Sequence, residues 1–204
     1  MISKEIDEQI KFFYKKSFNE MNDIEKQDIT DITLNHKDFR GNNTDINIYE
    51  LLQLPNLKTC TINGFDITEE DIRDLKKCKN LKSIQFSNCN FINTKISLIN
   101  LESVIIDNCK GDLEKIFSKL EELTFIQIVS NEVFNVSYIE KSKNLKKIYI
   151  QDTTIKKLEK LKKFENLEYV NLNQSKFSKI SFEILKRNSK FEIDYDKNAM
   201  IKVG

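Results

Sequence analysis

The sequence predicts a single α/β solenoid, a coil of stacked repeats with a curved parallel sheet inside and short helices outside. Three observations predict it. The stretch NLKKIYIQDTTIKKLEKLKKFENLEYVNL, residues 144–172, opens on Leu145, Ile148 and Ile150, and Ile155, Leu158, Leu161 and Phe164 follow at every third place. The phrase restarts at Leu167, Val170 and Leu172, a period of 22 residues. The same phrase begins at Ile29, Leu57, Leu81, Leu101 and Leu123, with spacings of 28, 24, 20, 22, 22 and 22 along the series to Leu167. The chain is 39% hydrophobic and 32% charged, which suits a thin core with much polar surface. Each repeat buries its apolar face only against its neighbours, so the coil is one unit.

Residues 1–26 read as an amphipathic helical cap, residues 27–196 as a solenoid of about seven to eight repeats, and residues 197–204 as a tail. Ile6, Ile10, Phe13, Phe18 and Met21 fall near one helical face over residues 4–21. A cap there covers the first repeat's apolar edge. The first strand phrase is Ile29, Ile32, Leu34 and Phe39. A short helix follows, with Thr44 or Asp45 as its cap, Ile48, Leu51 and Leu52 facing inward, and Pro55 ending it. The phrase returns at Leu57, Cys60, Ile62, Phe65 and Ile67. Thr68 with Asp71 three places on forms a capping box for an outer helix that buries Ile72, Leu75 and Cys78.

Later phrases are Leu81-Ile84-Phe86-Cys89-Phe91, then Leu101-Val104-Ile106-Cys109 closed by Leu113, and Leu123-Ile126-Ile128-Asn131-Val133. Then come Leu145-Ile148-Ile150-Thr153-Ile155 and Leu167-Val170-Leu172-Ser175-Phe177. Phe191 and Ile193 supply a last strand. The longer early repeats have room for outer helices. In the later ones, apolar residues at every third place suit 3₁₀ segments.

The totals exclude several classes. A net charge of +1 provides no global field for nucleic acid or an acidic membrane. The absence of any run near twenty apolar residues excludes a membrane-inserted chain. Four cysteines are too few for a disulfide framework. A native start at Met1 implies a cytoplasmic protein; removal of a signal segment implies an extracellular or cell-surface one. His36, the only histidine, lies just past a strand phrase and reads as a surface turn residue. The sequence contains no phosphate-cradling glycine motif and no C-x-x-C. Neither a cofactor, a metal nor a catalytic constellation is expected, and the chain does not read as an enzyme.

The phrase resembles the leucine-rich repeat family pattern L-x-x-L-x-L-x-x-N/C-x-L, met most closely by LKSIQFSNCNF from Leu81 and LTFIQIVSNEV from Leu123. The resemblance covers roughly residues 27–193. The late 22-residue repeats resemble those of bacterial internalins and phosphatase-regulatory repeat proteins. Lys37, Phe65, Thr153 and Ser175 depart from Asn/Cys at the ladder place, so the side-chain ladder is expected to be incomplete there. Cys89 and Cys109 occupy equivalent places, about 4.8 Å apart in backbone. They read as small buried ladder residues, although that spacing also allows a disulfide. Asn56, Asn80, Asn100, Asn144 and Asn166 precede the first leucine of their phrases. Asparagine there suits a left-handed turn into the strand.

Alternation within a strand turns the third, fifth and seventh places of each phrase out of the core. The early rows are small and polar. The later rows bring Ile105, Phe125, Val129, Lys147, Tyr149 and Tyr169 onto the concave face. An exposed apolar-aromatic patch marks an interaction site, and tyrosine is a frequent anchor in one. The reading is a monomeric, non-catalytic scaffold that binds another protein through this face. The resemblance implies two alternatives: a regulatory or substrate-recognition subunit of an enzyme such as a phosphatase or ligase, or a surface adhesion protein. The basic run Lys156, Lys157, Lys160, Lys162 and Lys163 is diluted by Glu159 and Glu165. It lacks aromatic stackers, so nucleic acid is not the expected partner.

Overall fold

In the computed structural model, residues 2–36, 46–92, 98, 100–111, 113–196 and 200–201 are described. Eight parallel strands form one sheet in strict chain order: β1 (Asp31–Asn35), β2 (Thr59–Asn63), β3 (Ser83–Ser87), β4 (Ser103–Asp107), β5 (Phe125–Val129), β6 (Lys147–Gln151), β7 (Tyr169–Asn171) and β8 (Glu192–Asp194). The pairing is in register throughout, with Ile126 opposite Val104 on one side and Ile148 on the other. Inward residues such as Ile84, Phe86, Ile126, Ile128, Ile148 and Ile150 are fully buried. Two such side chains on one strand contribute roughly 3–6 kcal/mol of transfer free energy. A one-residue slip of any strand would turn them to solvent, which is why the register holds.

Beyond each strand the chain bends through a left-handed residue: Gly64, Asn88, Asn108, Ser130, Asp152 and Gln174 occupy this place in successive repeats. It then forms a short second strand. Asp66–Ile67, Asn90–Phe91 and Lys110–Gly111 make one small sheet; Val133–Asn135, Thr154–Lys156, Lys176–Ser178 and Met200–Ile201 make another. Gly111 is required where it stands. Its φ is +103°, and a Cβ there would meet the Phe91 carbonyl oxygen at 2.4 Å.

The outer side carries α3 (Glu69–Lys77), α4 (Leu113–Phe117), α5 (Lys179–Asn188) and 3₁₀ segments at Ile48–Gln53, Val136–Ile139 and Leu158–Lys163; the first two α-helices belong to the cap below. The Thr68–Asp71 capping box opens α3 as expected. The 3₁₀ segments of the late repeats are also as expected, but the last repeat closes with the ten-residue α5, which the spacing did not foretell. Asn47 is the N-cap of Ile48–Gln53, and Glu50 reaches back to accept from its N–H at 2.8 Å. Thr44 and Asp45, like Lys37 and Phe39, lie outside the described residues. Leu52 is 42% exposed, and Leu54 takes the inward place assigned to it. Likewise Val133 is 40% exposed and Phe134 is buried. The small sheet pairs Ile155 with Phe134, so one extra residue between the ladder place Asn131 and the small strand shifts the inward place by one.

The N-terminal segment covers β1, but not as one helix. α1 (Lys4–Tyr14) ends at left-handed Lys15, a 3₁₀ turn spans Phe18–Glu20, and α2 spans Asp23–Gln27. Phe18 N–H bonds Asp7 Oδ1 at 2.6 Å, folding the return segment back along α1. Phe18 and Met21 thereby join Ile6 and Ile10 in the core, and Phe13 is left 72% exposed. The Gln9 amide serves as a substitute strand for the sheet edge. Its Nε2 donates to Thr33 O at 2.6 Å, and its Oε1 accepts from Thr33 N–H at 3.2 Å. Buried Glu50 ties the cap to the first repeat by accepting from Ser3 N–H. An edge strand with open amides invites pairing with another chain, and this cap blunts it. Among the described residues, no helix is long and apolar enough to cross a membrane.

Candidate binding surface

Ladders of polar side chains hold the turns that aim the concave rows. Asn131 Nδ2 donates to Val129 O and Ile106 O at 2.6 and 3.3 Å, and its Oδ1 accepts from Cys109 N–H at 3.0 Å. Asn131 N–H reaches Thr153 Oγ1 at 3.3 Å, and Thr153 N–H reaches Ser175 Oγ at 3.4 Å. The ladder therefore runs on through Thr153 and Ser175, where the sequence predicted gaps. Each hydroxyl accepts from the amide of the preceding turn, and Ser175 Oγ also donates back to that repeat, to Ile150 O at 2.8 Å. Cys89 and Cys109 join as weak donors to Ile62 O and Phe86 O. All four cysteines are free thiols. Burial raises the Cys60 thiol and pushes Cys78 up to about 11.

The asparagines before each first leucine form a second ladder. Asn56, Asn80, Asn144 and Asn166 donate Nδ2 to carbonyls of the preceding repeat, on Gln27, Pro55, Glu121 and Lys143. Only Asn100 among the five has a positive φ, of 63°. The task of the other four is satisfying neighbouring carbonyls, whereas Asn100 does supply the left-handed backbone expected of it.

The register sorts the predicted surface residues into rows. Phe125, Lys147 and Tyr169 are in line across β5, β6 and β7. Tyr149 lies two places along β6, so its ring packs against both aromatic neighbours. Ring centres are 5.5 Å apart for Phe125–Tyr149 and 5.4 Å for Tyr149–Tyr169. These three rings and Lys147 form one cluster. Ile105 pairs with Gln127, which separates it from Tyr149 in that row. It sits diagonally between Phe125 and Val129 and extends the apolar surface toward β4. Lys147 is exposed, but the five apolar residues are half-buried, more covered than the sequence reading had them. At strand spacing, each large side chain shields the next.

Asp194 is the site residue that sequence reasoning missed. It receives Tyr169 Oη–H at 3.4 Å, Asn171 Nδ2 at 3.3 Å and Asn173 Nδ2 at 3.0 Å. Buried Asn171 also donates to Tyr169 Oη at 3.3 Å. This network fixes the Tyr169 ring before any ligand arrives. The last repeat is one residue longer, pairing Tyr169 with Glu192, so a 22-residue template misplaces Asp194.

The remaining candidates are used structurally. His36 packs on Phe65 with ring centres 5.2 Å apart. In the basic run, Lys160 and Lys163 reach Glu140 at 2.7 and 3.7 Å, and the Lys160 hydrogen bond holds that carboxyl below its usual range. Among the described residues, no group of three His, Cys, Asp or Glu is placed to hold a metal ion.

No protein-family model matches the chain, and no curated protein does. Solved structures do. An internalin C2 from Listeria monocytogenes superposes with a TM-score of 0.59 at 18% identity, over 95% of this chain and 93% of that one. An internalin, inlF, from the same organism gives 0.52 at 14% identity, over 99% of this chain and 75% of its own. TLR13, in its complex with the RNA ssRNA13, gives 0.54 at 15% identity over 89% of this chain, which spans about a third of that protein, 32%. Identities this low speak for the fold. Together with the 22-residue period, the single parallel sheet and the Asn/Cys ladder, they show that the chain folds as a leucine-rich repeat solenoid.

Proposed function

We propose that the chain is a non-catalytic binding scaffold that recognises another protein through the late concave rows. The observation that carries this reading is the aromatic cluster of Phe125, Tyr149 and Tyr169 beside Lys147 on a rigid sheet. Half-buried rings at 5.4–5.5 Å spacing present a firm surface with little left to order on binding. The Asp194 network adds to that preorganisation.

The TLR13 structure holds a single-stranded RNA. The concave rows of this chain are poorly suited to phosphates. Lys147 is their one cation, against Asp31, Asp107, Glu192 and Asp194. A protein segment that places an apolar side chain over the rings fits better. A role as a recognition subunit of an enzyme is a special case of this reading; nothing in the cluster favours it over adhesion.

The test is capture from the source lysate with the native chain and with the Phe125→Ala/Tyr149→Ala double variant. The reading expects a protein retained by the first and lost by the second, with a melting temperature within a few degrees. Equal retention by both would move the site off the late concave rows and refute it.

A further inference from the structure

The net charge of +1 hides a division along the solenoid. Residues 1–140 carry 17 basic and 24 acidic side chains, whereas residues 141–190 carry 14 basic and 5 acidic. Few of those cations face the concave side. Lys160, Lys162 and Lys163 lie on the 3₁₀ segment Leu158–Lys163, and Lys179, Lys186 and Arg187 lie on α5. These two elements pack side by side on the outer surface, so their charges share one face. Compensation is thin. Glu140 serves both Lys160 and Lys163, while among the described residues Lys162, Lys179 and Arg187 have no ion pair. Charges this close reinforce one another within a screening length of about 8 Å.

The same face exposes aliphatic surface. Phe182 and Leu185 are the buried stripe of α5, but Ile180 is 69% exposed and Ile184 is 38% exposed one turn on. The helix therefore presents an outward isoleucine pair among Lys179, Lys186 and Arg187, with Glu183 as the one acidic side chain of α5. We propose that the outer face of the last repeats, centred on α5 and the neighbouring 3₁₀ segment, docks on an anionic lipid surface.

Three features favour lipid over a polynucleotide. The cations are nearly all lysines, which are point charges without the arginine fork that reads phosphates and bases. The exposed aromatic residues Phe12, Phe13 and Tyr49 lie at the opposite end of the solenoid, and the ring beside α5, Tyr195, is half-buried against Phe182 with the Lys186 ammonium over it, so it offers no open face for base stacking. A phosphate backbone offers Ile180 nothing, whereas the headgroup–acyl boundary accepts it. The contact is peripheral and independent of the concave site.

The test is co-sedimentation of the full chain with phosphatidylcholine vesicles, with and without phosphatidylserine, at low and high salt. The proposal expects binding only to the phosphatidylserine vesicles, weakened by salt. A lysine near such a surface is worth about a five-fold change in partitioning. Lys162→Gln/Lys179→Gln/Lys186→Gln should therefore weaken binding on the order of a hundredfold. Ile180→Ser should weaken it several-fold with charge unchanged. These are surface positions, and a circular dichroism melt checks that the variants fold. Absence of wild-type binding, or equal binding to both vesicle types, overturns the proposal. Ile180→Ser binding as tightly as wild type also overturns it, because the contact is then charge alone; an RNA oligonucleotide whose binding the lysine variant abolishes would then name the polyanion.

Discussion

Asn131→Ala tests whether the buried ladder holds the turns of the late repeats. Asn131 is 5% exposed and makes three side-chain bonds to backbone groups. Truncation leaves Cys109 N–H buried without its acceptor, a cost of about 1–3 kcal/mol. The two Nδ2 bonds are worth about 1 kcal/mol each. Val129 O keeps a partner in Asn108 N–H at 2.9 Å, which limits the loss there. The sum is about 3–5 kcal/mol, or roughly 10–15 °C in melting temperature for a chain of this size. Asn131→Cys should cost less, about 1–2 kcal/mol. A thiol can donate to the carbonyls, as Cys89 and Cys109 do, but accepts poorly from Cys109 N–H. Urea unfolding followed by circular dichroism measures both. A cost below about 1 kcal/mol for Asn131→Ala would mean that water replaces the side chain and would refute the reasoning.

Further outcomes follow from the same structure. Gly111→Ala should destabilise by at least about 2 kcal/mol, since the left-handed φ and the Phe91 carbonyl both oppose a Cβ; a neutral effect in the same unfolding assay would contradict that geometry. Gln9→Leu removes the substitute strand partner of Thr33 and should promote self-association through the β1 edge, visible by sedimentation velocity. A variant that stays as monodisperse as wild type would show that the edge needs no such cover. Thiol titration without reductant should find four free thiols in denaturant. In the native state at pH 8, Cys78 should react first but slowly, being half-buried with its thiol pushed up to about 11. Two missing thiols would instead place a disulfide between Cys89 and Cys109.

The sequence by itself determined the architecture. A strand's alternation and a 22-residue period are local signals, and a stacked repeat can bury its apolar side only against the next copy of itself. The inward residues of the main sheet, the capping box at Thr68 and the rows holding Phe125, Lys147, Tyr149 and Tyr169 were legible on that basis. Tertiary structure decided what depends on a neighbour. Whether Val133 or Phe134 turns inward is set by pairing with Ile155, because both are apolar and adjacent. Phe13 lost its buried place to Phe18 because the chain folds back on α1, which periodicity within one helix cannot register. The asparagines at repeat entries, and Thr153 and Ser175, act through carbonyls and amides of other repeats, so their bonds appear only once the coil is stacked. Asp194 reaches Tyr169 through one extra residue in the last repeat, and the half-burial of the aromatic rows arises from side chains on three different strands shielding one another.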